Sequence, residues 1–166
     1  MPSIGNISFE NPLLLGPMAG VTDSAFRTIC RQEGAAGSYT EMVSAKALLY
    51  QDKKSRQLLF ISPEEHPCGV QIFGSEPEVC AQAAQLALEI SGADFVDINM
   101  GCPMPKITGN GEGSALMRNI PQAEKLIRAV RQAVQVPLTV KFRKGYEADE
   151  DTCVEFGRMA QACGVD

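Results

Sequence analysis

Histidine, basic charge and long apolar runs are all scarce in this chain, and each shortage removes a class of function. His66 is the only histidine in 166 residues. That argues against a histidine-based metal site, and a Ser-His or Cys-His pair would have to rest on that one residue. No window approaches the roughly 20 apolar residues of a membrane span, and Met1 to Glu10 lacks the basic-then-apolar layout of a secretory leader. The expectation is a cytoplasmic protein without membrane contact. Lys and Arg number 15 against 20 Asp and Glu, a formal net charge of -5 that repels a polyanion at long range, so overall composition does not favour nucleic-acid binding. The six cysteines show no zinc or redox spacing. Cys30, Cys80, Cys153 and Cys163 fall in apolar-periodic helical segments and read as reduced core thiols, with no metal expected. The chemistry must then come largely from elsewhere, such as a cofactor.

With 45% hydrophobic and 21% charged residues, residues 1–166 suffice for one substantial core. Apolar runs alternate with helical patterns. A strand over Pro12–Gly16 precedes a helix capped by Thr22 or Asp23 and ended by Gly34. Gly37–Met42 is a second strand, followed by a short helix over Ser44–Tyr50. The polar stretch Gln51–Arg56 then leads to Gln57–Ile61, whose state the pattern leaves open. Cys68–Phe73 is the third strand. Ser75 and Glu78 form a capping box before a helix with Val79, Ala83, Leu86, Ala87 and Ile90 on one face. Asp94–Asn99 is the fourth strand, and a Gly- and Pro-rich loop starts at Met100. Ala123, Leu126, Ile127, Val130 and Val134 mark the next helix, Val136–Phe142 the fifth strand, and Asp151–Cys163 a last helix stopping at Gly164.

Five strands separated by helices predict a parallel sheet, either doubly wound or part of a (βα)₈ barrel. Length favours the open sheet, because a whole barrel takes about 250 residues. The unusual residues favour the barrel. Pro17-Met18-Ala19-Gly20, Glu41, Gln71 with Gly74, Asn99 to Pro103, and Lys141 to Arg143 all fall at carboxyl ends of strands, on every one of the five. A barrel gathers those ends on one rim, whereas an open sheet uses only the strands beside its switch point. Gly109-Asn110-Gly111-Glu112-Gly113 lacks a strand directly before it and the dinucleotide spacing, and reads as a loop that can close over a site.

The segments Gly16-Pro17-Met18-Ala19-Gly20-Val21-Thr22-Asp23, Gly69-Val70-Gln71-Ile72-Phe73-Gly74, Val96-Asp97-Ile98-Asn99-Met100-Gly101-Cys102-Pro103 and Val140-Lys141-Phe142-Arg143-Lys144-Gly145 resemble the tRNA-dihydrouridine synthase family in order and spacing. The resemblance implies an FMN-binding TIM barrel followed by a helical tRNA-binding domain. Only about the first five βα units of that barrel would be present here, so a truncated protein is expected, open to self-association through bare sheet edges. The implied activity is reduction of the C5=C6 bond of uridine in tRNA, with FMN as hydride donor and NADPH or NADH as reductant.

By resemblance, Cys102 is the acid that protonates the second carbon; its plain alternative is a buried structural thiol. Pro17, Met18 and Ala19 would lie against the flavin ring, or form an ordinary strand-to-helix turn. Gln71 would bond the polar edge of the ring, or be a satisfied core amide. Lys141 would place positive charge near N1 and O2, since burying a lysine is costly unless it meets an anion. Asn99 would orient the uracil or cap a strand-end turn. Lys106 and Arg143, with Lys144, would meet tRNA phosphate or the flipped uridine, or be solvated charges. Glu41 receives no role. Two other functions compete: an FMN barrel oxidoreductase acting on a small substrate such as orotate or an enone, which the Asn-Met-Gly-Cys-Pro loop argues against, and a non-catalytic half-barrel that associates through its edges.

Overall fold

Each alternation in the sequence becomes a strand in one curled parallel sheet, with the helices packed along its outer side. The computed structural model describes residues 1–166. A short antiparallel hairpin, β1 (Ser3–Ile4) and β2 (Ile7–Ser8), comes first. The parallel sheet follows: β3 (Leu14–Leu15), β4 (Gly37–Tyr39), β5 (Val43–Ser44), β6 (Cys68–Phe73), β7 (Phe95–Met100) and β8 (Leu138–Phe142). Its order is β3-β4-β6-β7-β8, with β5 resuming the path of β4 beside β6. The sheet thus runs in chain order without the reversal that defines a doubly wound fold, which makes it a partial TIM barrel. β3 and β8 are its edges.

The helices are α1 (Ser24–Gln32), α2 (Ala45–Leu49), α3 (Lys53–Gln57), α4 (Pro77–Ser91), α5 (Pro105–Thr108), α6 (Ile120–Ala133) and α7 (Cys153–Ala162). α4 packs between α2 and α6, and α6 against α7. α6 shows why the sequence folds this way. Ala123, Leu126, Ile127 and Val130, at helical spacing, are all fully buried, and Asn119 caps the start by accepting from the Gln122 N–H. Burying a side chain such as Leu126 stabilises the fold by about 1.5–3 kcal/mol. None of these helices is long and apolar enough to cross a membrane.

The structure corrects several expected details. The Ser75–Glu78 capping box does not form. Pro77 starts α4 with its fixed backbone angle, Glu76 is the N-cap without a side-chain bond, and the Ser75 hydroxyl donates to the Asn110 carbonyl instead. The buried face of α4 is Cys80, Ala83, Ala84 and Ala87, small residues that let the helix sit close to its neighbours, while Val79, Leu86 and Ile90 lie at its margins. The second strand is broken at Thr40 to Met42, and residues 53–57 are helical, capped by Asp52. All six cysteines are free, but only Cys68, Cys80 and Cys163 are buried; Cys30 and Cys153 are partly exposed.

Strand alternation separates two faces with different chemistry. Val70, Ile72, Val96, Ile98, Met100 and Leu138 join the helices in the main core. The residues between them, on β6, β7 and β8, point to the inner side of the curl. At the amino-terminal end that side is apolar: Phe95 packs edge-on to Tyr39 with ring centroids 5.2 Å apart. Gly69, opposite Phe95 in register, makes the arrangement possible, because a Cβ there would lie 2.2 Å from the Phe95 ring. Farther along, Gln71, Asp97, Thr139, Asn99 and Lys141 make the same side polar.

Candidate active site

At the carboxyl ends of the strands lies a cleft of about 330 Å³. One wall is the turn after β3, carrying Pro17, Met18 and Ala19. This turn is tied down at both ends: the Met18 N–H donates to the buried Thr22 hydroxyl at 3.0 Å, and the Gly20 N–H donates to the Glu41 carboxylate. Glu41, given no role from sequence, thus fixes the apolar wall. Its signal was its place at a strand end.

The floor is a buried hydrogen-bonded row, with Gln71 and Asp97 1% exposed and Asn99 9%. Thr139 Oγ1 donates to Asp97 at 2.6 Å, and Gln71 Nε2 donates to the other Asp97 oxygen at 2.5 Å. Asn99 Nδ2 donates to Gln71 Oε1 at 3.0 Å, with Met42 Sδ also near that nitrogen at 3.6 Å. Asn99 Oδ1 accepts from the N–H groups of Gly101 (3.2 Å) and Cys102 (2.9 Å). Burial pushes the Asp97 carboxyl up to about 6, against the opposing pull of the Thr139 and Gln71 bonds and the Lys141 charge. Burial, and then the charge of Asp97, pushes Tyr39 up to about 12.

The opposite wall holds the partly exposed Cys102, with Lys141 and Arg143. The Cys102 carbonyl accepts from the Ser114 N–H at 3.0 Å. Gly113, at φ +60°, brings the loop this close, since a Cβ would fall 2.6 Å from that carbonyl oxygen. The glycine-rich segment Gly109 to Gly113 therefore closes onto the Cys102 backbone. The Cys102 thiol lies partly exposed and makes no hydrogen bond within the chain. Desolvation pushes the buried Cys68 and Cys80 thiols up to about 11 and about 12.

Eight of the nine residues expected at the site, namely Pro17, Met18, Ala19, Gln71, Asn99, Cys102, Lys141 and Arg143, line this one cleft. Lys106 does not; it stands exposed on α5, on the loop beyond. Lys141 was expected to be buried and is exposed, with its side chain lining the open cleft. Asn99 lines the cleft, yet both lone pairs of its oxygen are taken by the Cys102 loop, so it is a strand-end cap as well as a wall. Asp97, Thr139 and Met42 were missed, although an acid between Val96 and Ile98 in an apolar strand was a visible sign.

The family described as Dihydrouridine synthase (Dus) matches residues 14–166. The chain is 44% identical over 162 residues to tRNA-dihydrouridine synthase B of Shewanella oneidensis, covering 98% of this chain and 50% of that protein. The corresponding protein of Vibrio parahaemolyticus is 42% identical at the same coverage. That of Pseudomonas aeruginosa is 41% identical, with 48% of its length covered. The chain thus spans about half the length of these curated relatives.

Proposed function

This chain belongs to the dihydrouridine synthase family, and on that premise we propose that it forms the flavin-holding, proton-donating part of a tRNA-dihydrouridine synthase. The observation that carries the reading is the convergence of Cys102, Lys141 and the Pro17 to Ala19 turn on one cleft.

The cleft suits FMN by its donor set. The apolar turn offers a flat wall. Gln71, after its bonds to Asp97 and Asn99, retains one N–H and one oxygen lone pair for the polar edge of a ring. Lys141, which lines the cleft, would offer a cation to the negative charge of a reduced ring. When bound, FMN supplies the hydride for reduction of a uridine C5=C6 bond, with NADPH or NADH replenishing it. Cys102 holds its proton at Sγ and gives it to the carbon that does not receive hydride. A free thiol on a partly exposed loop, with its backbone fixed at both N–H and carbonyl, suits that task. Asn99 keeps only the N–H facing Met42 for a uracil carbonyl. Arg143, exposed and reaching the Gly101 carbonyl at 3.4 Å, meets the RNA at the mouth, and Lys106 adds charge farther out on the same rim.

The test is incubation with FMN, desalting and a visible spectrum, followed by a dihydrouridine assay on unmodified tRNA with NADPH or NADH. Retained, perturbed flavin bands and product in the tRNA are expected. Flavin retention with turnover of orotate or an enone, and none of tRNA, would overturn the assignment of substrate.

A further inference from the structure

Asp97 is the one buried carboxylate beneath the cleft, and the proton transfer does not use it. Taking a carboxylate out of water is costly unless bonds and charges compensate, so a merely space-filling role would be served better by an uncharged residue. Its particular property is that an ionised carboxylate only accepts hydrogen bonds. Amides, by contrast, can present either end. Facing Asp97, Gln71 must turn its Nε2 inward, which leaves Oε1 facing Asn99. Asn99 must then offer Nδ2 to Gln71, which leaves Oδ1 for the N–H groups of Gly101 and Cys102. The reversed row would set the Asn99 NH₂ group against two backbone donors.

We propose that Asp97 is a positioning residue that fixes the direction of the Gln71–Asn99 row and thereby the place of the Cys102 loop. The proposal rests on the reading of Cys102 as proton donor for its meaning, but not for its test. Thr139 belongs to the same device, since its hydroxyl donates to the second Asp97 oxygen and leaves the first for Gln71.

The six free cysteines provide the measurement, because peptide-resolved alkylation by iodoacetamide reports each thiol separately. Asp97→Leu removes the acceptor, and Asp97→Asn keeps the shape and one acceptor oxygen. The limiting alkylation rate of Cys102, read above the titration of the thiol, should change about five- to tenfold in Asp97→Leu, the scale of one lost buried hydrogen bond. Asp97→Asn should restore part of the native rate, with Cys30 and Cys153 unchanged and Cys68, Cys80 and Cys163 still protected. An unchanged Cys102 rate in both variants would overturn the proposal, and so would all six thiols rising together. A shifted titration midpoint at constant limiting rate would overturn it too, since that is a charge effect without movement. If Asp97→Leu does not fold, Asp97→Asn decides alone: Cys102 must change while the other five thiols do not. Loss of the tRNA reaction is no part of this readout, so a failure of the functional reading leaves the outcome legible.

Discussion

Adjacent residues on the central strands do opposite work. Val70, Val96 and Ile98 face the helices and are fully buried in the apolar core. Gln71, Asp97 and Asn99, each one position later, face the cleft and are joined by hydrogen bonds. The two faces are held by different physics. The outer one is stabilised by area removed from water and tolerates small shifts, whereas the inner one depends on the direction of every donor. Stability and chemistry are thereby separated by a single step of the strand period.

Substitutions on the two faces should therefore fail differently. The largest effect belongs to the outer face: Leu126→Ala, at a fully buried site on α6, should cost about 2–5 kcal/mol in denaturant unfolding while leaving flavin affinity per folded molecule unchanged. A matching loss of affinity would mean that the faces are coupled. Next is Asp97, whose carboxyl rises from an ordinary 3.8 to about 6 in the folded chain. The folded state binds its proton more tightly, so the associated stability is present below about pH 4 and is lost as pH rises through about 6, on the order of 2–3 kcal/mol in all. Of its hydrogen-bonding partners, Gln71 and Thr139 carry no titratable group, and the nearby Tyr39 is pushed up to about 12, far above that window. Asp97→Asn should remove this slope from thermal unfolding measured between pH 4 and 6.5; an unaltered slope would sink the assignment. The smallest stability change should come from Lys141→Met. Its exposed side chain contributes little to folding, but FMN retention should weaken roughly tenfold to a hundredfold by equilibrium dialysis, the scale of a hydrogen bond to a charged group.

Much of the outer face was legible in the sequence, because long periodic segments carry strong signals. The strand over Cys68–Phe73 matches to the residue, and the buried face of α6 was read from Ala123, Leu126, Ile127 and Val130. The barrel type followed from polar residues at five strand ends, and the strand order agrees with it. The α4 cap was misread because Pro77 competes with Ser75 for control of the helix start. The first hairpin, only two residues per strand, is too short to show a period. Within the cleft, residue identities were legible and their couplings were not. Whether Asn99 faces outward or caps Cys102, and whether Glu41 ties the Gly20 turn, depends on contacts between residues distant in sequence. The exposure of Lys141 was missed because a strand pattern does not show that the side chain opens onto a cleft.

The most direct test of the proton-donor assignment is a single-turnover reaction of the flavin-loaded, pre-reduced chain with unmodified tRNA, comparing the native protein with Cys102→Ala. Reoxidation of the flavin by tRNA should slow about 10²- to 10⁴-fold in the variant, the usual contribution of a general acid, while reduction by NADPH or NADH stays the same. Equal reoxidation rates in the two proteins would contradict the account.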